Sequence, residues 1–132
     1  MFYIIGLGTG IVSFFVGCVW YSVLFGKPWQ KGMGFSDDRV KSIFVPRRII
    51  IALISELVAS LCTVGILYNL PESFPPIVRA VMLIVVVIGS GIKLAIFDGK
   101  SLGIILINEG YKAISMLLFF ISLTLFGGAI VF

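Results

Sequence analysis

A chain of 132 residues that is 60% hydrophobic, with a mean hydropathy of +1.20 and only 12% charged side chains, lies far from soluble composition and reads as an integral membrane protein. Ten Lys and Arg against six Asp and Glu leave a net charge of +4, but these cations are too few and too concentrated in one connection for a nucleic-acid face, so no nucleic acid is expected. Histidine is absent and the two cysteines, Cys18 and Cys62, sit inside apolar runs, so there is no metal-ligand set and no cofactor is expected.

Residues 2–25, 46–70, 77–97 and 102–131 form four stretches long enough to cross a hydrocarbon core as helix, which takes about 20 residues. The expected fold is all-α: one integral membrane domain, a four-helix bundle without internal repeat. The first stretch opens on MFYII without a basic flank or a small-residue cleavage site, so a retained span is expected rather than a signal peptide. Along it Gly6, Gly10, Ser13 and Gly17 recur at steps of four, three and four, a stripe that leads to Tyr21. Small residues in such a stripe let another helix approach closely, within the bundle or between subunits. Cys18 and Cys62 are read as small packing residues.

The first span gives way at Gly26 and Pro28. The connection 26–45 and the residues just after it carry Lys27, Lys31, Arg39, Lys41, Arg47 and Arg48 against Asp37 and Asp38, so it is expected as a solvated cytoplasmic loop. Both termini then face outward. Trp20, Phe25 and Trp29 would lie at the inner headgroup level, where amphipathic rings are favoured and Lys27 snorkels. Ser36 is placed to cap a short turn before Asp37 and Asp38, the alternative for this loop being an interfacial amphipathic piece. The second connection, with Pro71, Pro75 and Pro76, offers Glu72 and Arg79.

The most informative residues are charges inside the later spans. Glu56 lies in "IIIALISELVASLCTVGIL", with Ala52, Ala59, Ser60 and Thr63 on its side of the helix, a side expected to face inward. Lys93 falls one turn before the end of the third span; Glu109 and Lys112 follow at i, i+3 in the fourth. At a rise of about 1.5 Å per residue, Lys93 is roughly 6 Å deep and Glu56 and Glu109 about 10 to 15 Å deep from the cytoplasmic side. A lone charge at that depth costs several kcal/mol, so these groups are expected to turn inward and find partners. Glu56 is expected to meet Lys93 or Lys112, with Asn108, Tyr111 and Ser115 supplying hydrogen bonds and Tyr21 and Ser22 near in depth.

Two segments also carry a resemblance. "GCVWYSVLFGKPWQKGMG" and "FDGKSLGIILINEGYKAISMLL" resemble the domain of unknown function 1761 family of small prokaryotic four-span membrane proteins. The match runs through Trp20, Tyr21, Ser22, Phe25, Gly26, Trp29 and Gly34, and through Phe97, Gly99, Ile107, Asn108, Gly110 and Tyr111. Lys100 and Ser101 replace the family's usual Arg-Pro, and Glu56 lies in a middle region that matches only as hydrophobic helix. The resemblance implies fold, topology and a prokaryotic cytoplasmic (inner) membrane, not an activity. It also implies that the exit of the first helix and the start of the fourth meet around Tyr21, Asn108 and Tyr111.

Enzymatic readings lack their residues. No nucleophile elbow or histidine base is present, and "GLGTG" lies inside an apolar helix with no Walker lysine after it. The expected function is a non-enzymatic accessory, structural or binding subunit with a polar cluster on the cytoplasmic side, in contact with membrane lipids and in a homo-oligomer or larger complex. The alternatives are a proton- or cation-coupled transporter using Glu56, and a lipid- or quinone-binding protein.

Overall fold

The computed structural model describes residues 2–70 and 73–127. Glu72, and the expected part of the last span beyond 127, lie outside the described residues. The described chain is helical throughout: α1 Phe2–Val19 continuing into a π-turn Trp20–Leu24, α2 Gly26–Met33, α3 Asp37–Ile43, α4 Pro46–Asn69, α5 Pro76–Phe97 and α6 Leu102–Phe126. Four helices are long and apolar enough to cross a membrane: Phe2–Leu24, Pro46–Asn69, Pro76–Phe97 and Leu102–Phe126. The protein is a multi-pass membrane protein.

Helix boundaries follow local chemistry. Val45 is extended before Pro46, and Pro75 is extended before Pro76, so each proline sits at the first helical position, where its missing N–H costs nothing. The Ser101 hydroxyl caps α6 by accepting from the Ile104 amide at 3.4 Å. Gly34 and Gly99, both at φ 68°, close α2 and α5 in the left-handed conformation. Each closure carries a long return bond, Phe35 N–H to Gln30 carbonyl and Lys100 N–H to Ala95 carbonyl, at 3.1 and 3.0 Å.

The segment expected as a solvated loop is instead two short helices. Ser36 caps α3, its hydroxyl accepting from the Arg39 amide at 3.2 Å, and Gln30 joins the pair by donating to Phe35 carbonyl and the Asp37 carboxylate at 3.1 and 2.8 Å. α2 packs on α6, with Gly32 against Ile104, while Ile43 at the end of α3 lines a cavity shared with α1 and α4, and Phe44 just beyond it meets the Trp29 ring at 6.4 Å; a freely solvated loop would require none of these.

α1 packs along α4 and also touches α6; α5 docks mainly on α6. The glycine stripe is used inside the chain. A methyl group at Gly6 would lie 3.2 Å from the Leu61 Cα, and one at Gly10 3.0 Å from the Ser60 Cβ. Ser60 exploits this approach by donating to the Gly6 carbonyl at 2.6 Å. The half of the molecule nearest the start of α1 has an apolar core built on Ile5, Val64, Leu67, Phe119, Phe120 and Leu123. Polar side chains gather in the other half.

A candidate binding cavity at the polar end

The π-turn positions the first set of site residues. Phe25 N–H reaches back five residues to the Trp20 carbonyl at 2.9 Å, and this wider turn accompanies two consecutive residues meeting the same helix. Trp20 donates its indole N–H to the Ile107 carbonyl at 2.9 Å, and Tyr21 donates its hydroxyl to Asn108 Oδ1 at 2.9 Å. Gly110 makes room for the Trp20 ring: a methyl group there would stand 3.2 Å from it. One turn on, Tyr111 packs edge-on against Tyr21 at 5.6 Å between centroids and donates to the Ser13 carbonyl at 3.2 Å. Gly17 is what admits the Tyr111 hydroxyl, since a methyl group would lie 2.7 Å from it. The two segments that carry the sequence resemblance thus contact each other at Tyr21, Asn108 and Tyr111.

Trp20 is consequently half-buried and hydrogen-bonded, its ring packing between α1 and α6. Phe25 stacks on it at 4.5 Å. Trp29 lies between Tyr21 and Phe35, with centroids 5.8 and 5.6 Å away.

Glu56 finds a partner other than the one expected. Its carboxylate accepts from the Ser13 hydroxyl across the α1–α4 interface, and Ser13 and Ser115 oxygens stand 2.8 Å apart. A hydroxyl has one hydrogen to give; with Ser13 donating to the carboxylate, Ser115 donates to Ser13. Neither Lys93 nor Lys112 reaches Glu56. Among the described residues the ion pairs are Lys112–Glu109 at 2.9 Å and Lys100–Asp98 at 3.8 Å, and Lys93 is exposed.

Helix phase explains the correction. Asn108, Tyr111 and Ser115 recur at i, i+3 and i+7 on the α6 face toward α1, whereas Glu109 and Lys112 are each one residue further on, about 100° around the helix, facing α5. There they lie against Gly91, where a methyl group would come within 2.6 Å of both Glu109 Oε2 and Lys112 Nζ. Glu109 is buried, and its Oε2 has no hydrogen-bond partner among the described residues. The polar residues expected as one cluster therefore form two, on faces of α6 about 100° apart.

Beside the Glu56 cluster is a cavity of about 590 Å³. Its walls come from α1 through Phe14 and Cys18, from α2 through Trp29 and Met33, from the end of α3 through Ile43 with Phe44 just beyond it, and from α4 through Ile49 and Ala52. Glu56, Asn108, Tyr111, Tyr21 and Ser22 supply its polar surface, and Arg48 stands toward the start of α4. Eight residues separate Arg48 from Glu56, a rise of about 12 Å. A largely apolar cavity with a few convergent polar groups at one end is the form taken by small-molecule sites.

Lys93, Glu109 and Lys112 do not line this cavity, and Ser22 turns its hydroxyl back to the Cys18 carbonyl. Cys18 and Cys62 are both exposed on the protein surface rather than packed inside, and Ala59 is exposed beside the Glu56 face. Sequence reasoning missed the wall residues Phe14, Met33, Phe44 and Ile49, because a wall belongs to no single helix. In the stripe Ser13 reads only as a small packing residue; that it is the one hydroxyl there is the signal that could have marked it as a donor to Glu56.

The family model described as "Protein of unknown function (DUF1761)" matches residues 5–126. No curated protein and no solved structure matches the chain.

Proposed function

We propose that this chain, which belongs to the DUF1761 family, is a non-enzymatic binding protein that holds an amphiphilic small molecule, drawn from the adjacent lipid leaflet, in the cavity beneath α2 and α3. The observation that carries this reading is the cavity itself: about 590 Å³ of mostly apolar wall ending in the Glu56 carboxylate. Its volume suits an alkyl chain or small ring system, and its two outer walls are the short helices that follow the π-turn.

In this reading the cavity lies on the cytoplasmic side of a prokaryotic inner membrane with both termini outside, an orientation supported by the basic residues of α2, α3 and the start of α4. Holding is favoured over passage by the closely packed apolar core in the other half of the bundle. Val64 and Leu123 are fully buried there, and they fill the path that a solute would need to reach the far side. The remaining partners are bilayer lipids. A homo-oligomer or larger complex would have to use the faces of α4 and α5, because the glycine stripe is already occupied within the chain.

Native mass spectrometry of the full chain in a mild detergent, with extraction of what co-purifies, tests the reading. Bound amphiphile is expected on the wild type and absent from Ala52→Phe, whose ring fills the cavity. An Ala52→Phe protein carrying the same amphiphile as wild type would contradict it.

A further inference from the structure

Resting on the reading of the cavity as an amphiphile site, we infer that its occupant is a lipophilic amine, whose ammonium group meets Glu56 while its apolar body lies against α2 and α3. The argument is an account of hydrogens. Tyr21, Tyr111 and Ser22 all line the cavity, yet each hydroxyl hydrogen is already given away, to Asn108 Oδ1, to the Ser13 carbonyl and to the Cys18 carbonyl. Ser13, the one donor to Glu56, has spent its hydrogen on Oε1. What remains beside Glu56 is a set of acceptors: its second carboxylate oxygen and the phenol lone pairs of Tyr21 and Tyr111. The lining donors with a hydrogen left to give are the Asn108 amide, the Trp29 indole N–H and, toward the start of α4, Arg48.

Such a surface suits a ligand that donates. A carbonyl-bearing ring such as a quinone would bring acceptors to acceptors, and a fatty acid would bring a second carboxylate to the first. An alcohol could donate one hydrogen but leaves the Glu56 charge uncompensated. An ammonium group supplies up to three donors and the missing charge, and bonds between ionised partners are the stronger kind. The lysines do not pair with it: Lys112 is engaged with Glu109 on the face of α6 toward α5, and no ion pair to Glu56 forms among the described residues. Aromatic faces of Phe14, Tyr21 and Trp29 in the same walls favour a cation further. Arg48 does not oppose it, being exposed and about 12 Å along α4 from Glu56.

Three probes of one chain length, dodecylamine, dodecanol and dodecanoate, titrated against the purified full chain in nanodiscs of zwitterionic lipid, separate the claims. Wild type is expected to bind the amine at least about tenfold more tightly than the alcohol, with the acid weakest. Glu56→Gln, which keeps the side chain's shape, is expected to bring amine and alcohol to within about twofold of each other. Amine and alcohol binding wild type equally, both displaced by Ala52→Phe, would overturn this inference and leave the amphiphile reading standing. No probe binding in a manner sensitive to Ala52→Phe would overturn both. The wild-type ranking needs no variant to fold, so failure of Glu56→Gln to fold leaves that comparison decisive.

Discussion

Tyr21 on the first long helix donates its hydroxyl to Asn108 on the last, 2.9 Å away, although the two residues are 87 positions apart in the chain. The bond links the π-turn to the start of α6 and so holds one edge of the cavity. Its strength is measurable by a double-mutant cycle of Tyr21→Phe and Asn108→Ala in detergent unfolding. Hydrogen bonds between membrane helices couple by about 0.6 kcal/mol on average and rarely exceed about 1.7 kcal/mol, so a coupling in that range is expected. Strict additivity of the two substitutions would show that the pair does not form.

Gly17 and Tyr111 share space that no side chain at Gly17 can enter. Gly17→Ala is expected to lower stability by about 1 to 3 kcal/mol, and Tyr111→Phe in that background to recover part of the loss by removing the nearest atom. Gly8→Ala on the same helix meets nothing within 4 Å and serves as the control, expected within about 0.5 kcal/mol of wild type. Equal effects of the two alanines would argue against the close approach of α1 and α6.

The Glu109–Lys112 pair depends on Gly91 in the same way. Gly91→Ala places a methyl group against both charged ends and is expected to lower the thermal midpoint clearly, whereas Gly89→Ala, two residues away and open, is expected to leave it nearly unchanged. If the two variants unfold alike, α5 does not pack on α6 through this pair.

Orientation is read by labelling. With Cys18 and Cys62 replaced by alanine, a cysteine at Lys31 in α2 is expected to react with a membrane-impermeant maleimide in inside-out vesicles and not in right-side-out ones. The opposite pattern would put the cavity in the outer leaflet and both termini inside.

The sequence made the four spans legible because each is long, apolar and bounded by proline or glycine, and because lipid leaves helices as the economical way to pair the backbone. It also made legible the meeting of the two motif-bearing segments. Ion pairing was not legible, since depth fixes the level of a charge but not its direction. Whether Lys112 faces Glu56 or α5 depends on the rotation of α6, which the alternation of Asn108, Tyr111 and Ser115 with Glu109 and Lys112 records only when helix phase is followed residue by residue. The helices in the first connection were hidden for another reason. Their basic residues dominate the composition, while Trp29, which lines the cavity, reads in the sequence as an interfacial anchor, and Met33 and Ile43, which line it too, carry no signal of their own.

The claim on which the account rests is that the cavity beside Glu56 holds an amphiphile, and Trp29 in its wall reports on that directly. In a Trp20→Phe protein, where Trp29 is the remaining tryptophan, a neutral alcohol with a brominated chain is titrated at fixed lipid content. The account predicts quenching of Trp29 that saturates at about one molecule per chain and disappears when Ala52→Phe is added. Quenching that rises in proportion to the alcohol in the bilayer, equal with and without Ala52→Phe, would contradict it.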